Sequence, residues 1–356
     1  LDQVLIRVTR AASAITGMEY CSVHLLDETG QSLKSMAANV DSVALGLEPM
    51  KDLVVPLQGT TMGECLKQKL PLIVADLKST VGESFRWIAN RLNLTSALFV
   101  PLSLGGEPKG VLVLMTPEKI MEFPPTLVSS AVSISHQASV AIENARLFVE
   151  QKEALEVSSF LVRLAEAFQS IVDLEELEAE IVRRGREALG SSSCQLWLYS
   201  GKEDIFYLAK ESGMTPEERS FINALTFSGK NFSPYIEALQ ARDIIPVEHA
   251  ETVIPKEVLE GLSVASFLAS PLIGKEGLIG VINYHYKGSP HGFTDKEKSL
   301  ARGIASLASV SLERVMASRA REEKSAQLEA ALKASEGINL LVTEREMVET
   351  VVNNME

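Results

Sequence analysis

The residues able to do chemistry are few and scattered. Three cysteines, Cys21, Cys65 and Cys194, lie far apart, with none of the close pairing that clamps a zinc ion. Thiols used this sparingly fit a reducing compartment and a chain with no need of disulfides. Of the five histidines, His24 and His285 sit within apolar alternating strands, whereas His249 and His291 lie in or near loops. The fifth, His136, stands in "SHQASVAI". A phospho-accepting histidine of the kinase type needs an acid beside it and a proline soon after, and neither is there. A single histidine can ligate haem iron, but these histidines show no pairing pattern. The sequence shows no nucleophile with its base and orienting partner, no phosphate-binding loop and no metal-ligand cluster. It reads as a non-catalytic chain.

The elements around these residues are those of ordinary globular domains. The chain has 356 residues, 46% hydrophobic and 23% charged, enough for two domains with cores of their own. Its net charge of −13 leaves no basic groove or arm for nucleic acid. No apolar run reaches the length of about 20 residues that spans a bilayer, and no signal peptide is visible. A cytoplasmic location is expected. The sequence starts within one helical pattern, at Leu1, and stops within another, at Glu356, so it reads as a fragment of a longer protein.

An internal repeat organises it. Ala138-Ser139-Val140 recurs 170 residues later as Ala308-Ser309-Val310, and Glu143 as Glu313. At the same offset Pro101-Leu102 matches Pro271-Leu272, Gly110-Val111 matches Gly280-Val281, and Phe123 matches Phe293. Earlier in each copy the offset is 173, where "CSVHLLD" matches "CQLWLYS". Each copy reads as an amphipathic helix, a strand hairpin, a variable middle, a second hairpin and a long closing helix. Strands in adjacent hairpins with helices at both ends make an α+β domain with an antiparallel sheet of about five or six strands, the first and last helices on one face. The boundaries read as 1–150, 151–318 and a C-terminal linker helix over 319–356, where a third domain begins.

This pattern resembles two tandem GAF domains, relatives of the PAS fold. "LQGTTMGECLKQKLPLIVADL", with Gly59, Gly63, Pro71 and Asp76, is similar to the family's middle signature, and "HQASVAIENARLF" to its closing helix. The second copy keeps "GLIGVI" and "FTDKEKSLARGIASLASVSLERV" but departs in its middle, where Ser233 replaces the second glycine. The resemblance implies two central antiparallel sheets flanked by helices and joined by a long connecting helix. It also implies a sensory region of a multidomain signalling protein, such as a sensor histidine kinase or cyclase, with its output domain outside this chain. In related folds the ligand lies between the sheet and the variable middle. Polar and aromatic residues there are therefore the binding candidates: Thr60, Thr61, Cys65, Arg86 and Trp87 in the first copy, and Phe232, Tyr235, Phe267, Asn283 and His285 in the second.

The resemblance names no cofactor. Cys65 stands where some relatives attach a bilin, but Leu66 follows it instead of the usual histidine. Asn283, Phe293, Asp295 and Glu297 only loosely match a cyclic-nucleotide signature, and Thr294 with Asp295 and Glu297 is better read as a helix N-cap. Free methionine sulfoxide reduction, known in the family, needs several cysteines within one domain. The principal reading is a small-molecule sensor. The alternatives are a structural pair that dimerises and spaces an output domain, and a haem- or bilin-bearing sensor.

Both closing helices continue past their domains. The first runs about 30 residues from Pro125, roughly 45 Å at about 1.5 Å each. Ala141, Phe148 and Leu155 recur every seven residues, and Leu328 and Leu332 extend an apolar stripe on the second, up to an interruption at Gly337. Thin stripes on long helices need a partner, so a parallel homodimer along these residues is expected.

Overall fold

The computed structural model describes residues 2–27, 29–39, 53–77, 86, 89–117, 123–224, 227–228, 239 and 243–353; within 334–346 and 349–353 only the backbone is described. The chain divides into two compact units, Leu1–Lys152 and Glu153–Glu356, here domains 1 and 2.

Domain 1 begins with α1 (Asp2–Thr16), β1 (Tyr20–Leu26) and β2 (Ser32–Ala38). There follow β3 (Val54–Pro56), α2 (Thr61–Gln68), β4 (Leu72–Val74), β5 (Ser96–Leu104), β6 (Glu107–Thr116) and α3 (Pro125–Ser170). Six strands pair antiparallel in the order β3-β2-β1-β6-β5-β4. Successive side chains of a strand point to opposite faces, and here both faces are buried, which is why "GVLVLM" reads as a continuous apolar run. Cys21, Val23, Leu98, Val100, Leu112 and Leu114 face Leu5 and Ala12 of α1 and Ala131, Ile134, Ala138 and Ile142 of α3. On the other face Ala97, Phe99, Val111, Val113 and Met115 pack against Met62, Cys65 and Leu66 of α2 and against Leu77, Ala89 and Leu94.

Domain 2 repeats the plan. It holds α4 (Leu174–Leu189), β7 (Ser193–Ser200), β8 (Ile205–Ser212), α5 (Pro216–Asn223) and β9 (Phe227–Ser228). Then come β10 (Ile245–Val247), α6 (Lys256–Leu262), β11 (Val264–Gly274), β12 (Gly277–Lys287) and α7 (Asp295–Asn353). Its six-stranded order, β9-β8-β7-β12-β11-β10, matches domain 1 strand for strand. Leu164 and Phe168, from the end of α3, join α4, α7 and the sheet in one core. Arg314 of α7 donates to the carbonyls of Phe168 (3.0 Å) and Ile171 (2.7 Å), meeting acceptors that the end of α3 leaves open. Thr294 and Glu297 cap α7 reciprocally: the Glu297 amide donates to Oγ1 of Thr294 and the Thr294 amide to the Glu297 carboxylate. The glycine that interrupts the apolar stripe, Gly337, does not end the helix, since α7 runs unbroken from Asp295 to Asn353. A lone glycine costs about 1 kcal/mol relative to alanine, too little to end a long helix.

The repeated helix residues have distinct duties. Ala138 and Ala308 are buried against their sheets, while Val140 and Val310 point outward. Ser139 and Ser309 each bond the carbonyl four residues back, and Ser139 also accepts from the Ser103 amide. Ser135 donates to the Pro101 carbonyl at 2.6 Å. In domain 2 the Glu313 carboxylate accepts from the Lys275 amide in the β11–β12 turn at 2.6 Å. The closing helices are thus bonded to the last hairpins as well as packed on them.

Both sheets share one irregularity. β1 slips register against β2 between Val23 and His24, and β7 slips against β8 between Leu196 and Trp197, the same repeat position. The adjoining strand carries glycine there for lack of room. A Cβ on Gly110 would lie 2.7 Å from the His24 carbonyl oxygen, and one on Gly280 only 2.1 Å from that of Trp197. Backbone must move to admit either. Gly280→Ala is therefore expected to destabilise domain 2 by about 2 kcal/mol, read as a lower urea midpoint, with a smaller effect for Gly110→Ala in domain 1.

Candidate functional site

The helix-covered faces of the two sheets are mainly apolar, although in domain 2 the buried Tyr284 and Ser270 hydroxyls lie there without partners among the described residues. The imidazole and amide side chains of the strands lie on the opposite faces. In domain 1 that face carries Ser22 and His24, placed together by alternation along β1. Ser22 Oγ and His24 Nε2 are 2.9 Å apart and buried. His24 Nδ1 is buried with no hydrogen-bond partner among the described residues. Across the sheet His24 is aligned with Val111 in β6 and with the buried Ser35 in β2. Burial lowers the imidazole pKa to about 4, so the ring is neutral at physiological pH.

Domain 2 has Gln195 and Trp197 at the matching positions. The Trp197 indole N–H donates to Gln195 Oε1 at 2.9 Å. Gln195 Nε2 lies 3.3 Å from both His285 Nδ1 and Met214 Sδ. His285 is buried, its pKa lowered to about 4 by desolvation and then by Lys287, against the opposing pull of Glu218. Lys287 and Glu218 form an ion pair beside it. Phe267 meets the His285 ring edge-on, centroids 6.1 Å apart.

The residues expected at the site fall as follows. Thr60 caps α2, its Oγ1 accepting from the Gly63 amide at 3.2 Å, and Thr61 opens that helix, half-buried. Cys65 is fully buried in the core beneath α2, where burial pushes its thiol up to about 12 and Leu70 O is 3.5 Å away. Arg86 is exposed. Trp87, Phe232 and Tyr235 lie outside the described residues. Phe267 and His285 come together on one face, with half-buried Asn283 aligned opposite Gln195. In domain 1, Thr60 and Cys65 belong to α2 and its cap, whereas Arg86 lies at the surface. Sequence reading did not single out the Ser22–His24 and Gln195–Trp197 pairs. The available signal was a polar residue two before a ring at the same repeat position.

Among the described residues no group of three or more His, Cys, Asp or Glu could hold a metal ion, and no helix is long and apolar enough to cross a membrane. An open groove of about 450 Å³ lies between the start of α1 and α3, lined by Asp2, Gln3, Val4, Ala145, Phe148 and Val149.

Comparison with known proteins gives a consistent result. A family model described as a GAF domain matches residues 1–143, and a second of the same description matches residues 173–312. No curated protein matches the chain. Among solved structures, a bacteriophytochrome from the photosynthetic bacterium R. palustris is similar over 90% of this chain and 72% of its own, at 13% identity and a TM-score of 0.56. A GAF domain/HD domain protein from Geobacter sulfurreducens matches 41% of this chain and 94% of its own, at 13% identity and a TM-score of 0.36. A cyanobacteriochrome GAF domain matches 42% and 94%, at 20% identity and a TM-score of 0.37.

The two buried histidines set a pH dependence. Each is neutral in the folded protein down to about pH 4, whereas in the unfolded chain it takes up a proton near pH 6.5. The unfolded state therefore binds more protons below pH 6.5, and stability falls with falling pH until about pH 4. Each histidine is expected to remove about 2 kcal/mol between pH 7 and pH 5. Urea unfolding at the two pH values should show a loss smaller by that amount in His24→Phe than in the parent. Equal losses would show that His24 is not a buried neutral ring.

Proposed function

The chain belongs to the GAF domain family, in two tandem copies, and from that we propose that it is a non-catalytic sensory module. It binds a small molecule on the middle face of a sheet and passes the resulting state along its closing helices to an output domain carried elsewhere in the protein. The carrying observation is how each closing helix is attached. Ser135 and Ser139 in domain 1, and Glu313 in domain 2, bond the helix to the last hairpin, whose opposite face is the binding face. A ligand that favours one packing of that hairpin then shifts the helix with it, provided it binds the two states unequally. The helices extend far enough to carry such a shift, 46 residues for α3 and 59 for α7. Cytoplasmic residence fits three buried, unbonded thiols.

The ten candidates of the sequence reading divide on this view. Phe267, Asn283 and His285 stand on the binding face, and Cys65 lines its cover. Thr60 and Thr61 support α2 rather than meet a ligand. Bilin attachment through Cys65 does not fit the described residues, because a buried thiol with a raised pKa is a poor nucleophile.

The module works as a parallel homodimer. Phe148 and Leu155 on α3 are 68% and 70% exposed, and Leu328 and Leu332 on α7 are 58% and 64% exposed. Ala141, half-buried, continues the α3 stripe toward domain 1. Phe148 also rims the groove beside α1, so a partner helix on this face would cover both.

Two measurements test the reading. Native mass spectrometry of the protein expressed in cells should find a small molecule retained at one per chain, and the visible absorption spectrum should show neither a haem nor a bilin band. A coloured protein would replace the sensor reading with a cofactor-bearing one. Separately, Phe148→Glu with Leu155→Glu should convert dimers to monomers by light scattering with circular dichroism unchanged. A parent already monomeric at high micromolar concentration would leave these helices as solvated linkers.

A further inference from the structure

Ligand sensing, as proposed above, leaves open which domain senses, and the two copies differ on the one face that matters. Repeat-equivalent positions carry Ser22 and His24 in domain 1 against Gln195 and Trp197 in domain 2, and Met115 against His285. On this face of domain 2 the polar atoms close on one another, indole N–H to Gln195 and Gln195 to His285 and Met214, while the unpartnered hydroxyls of Ser270 and Tyr284 lie on the helix side. The indole is larger than the imidazole it replaces, and its donor is already used. In domain 1 the chain of bonds stops after one step. His24 gives Nε2 to Ser22 and leaves Nδ1 without a partner, although the side chain is only 1% exposed. A buried polar atom left unpaired destabilises the fold, and such atoms are uncommon enough in folded proteins to require a reason. The backbone slip beside this position is common to both domains, so the difference between them lies in the side chains alone.

We propose that domain 1 is the sensing domain and that its ligand is an uncharged, largely apolar small molecule that sets one hydrogen-bonding atom on Nδ1 of His24, while domain 2 keeps its corresponding face closed with its own side chains. The surroundings define the ligand class. Val111 and Val113 of β6, Phe99 and Pro101 of β5, Ser35 of β2 and the Ser22 hydroxyl share the face with His24. None of these offers a counter-charge, and a charge buried there unpaired would be strongly disfavoured. The ring itself is neutral, so it recognises by hydrogen bonding and not by charge. Domain 2 then serves as the fixed member of the pair.

The test uses the full chain and two neutral probes, indole with a single N–H donor and quinoline with a single ring-nitrogen acceptor, titrated by saturation-transfer NMR. One of the two is expected to bind, the choice reporting which proton state Nδ1 holds. His24→Phe should weaken that binding about fivefold, the worth of one hydrogen bond. It should also raise the melting temperature of the ligand-free protein, because a phenyl ring leaves no unpaired nitrogen. Trp197→Phe should leave probe affinity unchanged. Affinity that follows Trp197 and ignores His24 would overturn the assignment to domain 1 and leave the sensory reading standing. A His24→Phe protein that melts lower than the parent would overturn it too, showing that His24 merely supports the fold. Failure of both probes to bind overturns the ligand class. Failure together with no retained molecule in native mass spectrometry overturns small-molecule sensing altogether.

Discussion

Each sheet in this protein is buried on both faces, and that constraint governs the rest. Strand side chains alternate, so every central strand must satisfy two unlike neighbours. The odd positions of β1, Cys21 and Val23, meet helices, whereas the even positions, Ser22 and His24, meet the middle segment. The helix side accepts only apolar groups that fit between α1 and α3. The middle side tolerates polar groups, provided something bonds them. The imidazoles of His24 and His285 are thereby confined to one face of the sheet, and the closing helices to the other.

The duplication makes the two roles visible by contrast. Both copies preserve the strand order, the register slip, the glycine that accommodates it and the serine that ties the closing helix to itself. These belong to the scaffold. What differs is the polar equipment of the middle face: an open pair in domain 1, a closed network in domain 2. Two sheets with the same topology can therefore hold unlike surfaces, because topology is fixed by the apolar register while the middle face needs only to be filled and hydrogen-bonded.

Much of the fold was legible in the sequence, for physical reasons. Period-two alternation marked the strands, Gly105-Gly106 and Gly274 to Gly277 marked the hairpin turns, and Thr294 with Glu297 marked the start of α7. Gly337 interrupts an apolar stripe without ending the helix, since local propensity is a small term in a long helix. The site was harder to read. Among the polar residues nominated in the middle segment, Thr60 caps a helix and Cys65 fills a core, duties that the residue types do not announce. A residue type does not reveal whether its hydrogen bonds are already made, and that property separates His24 from His285. Only coordinates show it.

The buried thiols have a practical consequence. Cys21 and Cys65 lie on opposite faces of the first sheet, and Cys194 on the helix side of the second. Desolvation raises all three well above the ordinary thiol range, so in the closed protein an alkylating reagent finds no thiolate to attack. Each sulfur reacts only when its own layer opens. The chain thus carries three silent clocks at three addresses. The rate at which each is labelled times the breathing of one layer, without any foreign group having to be introduced.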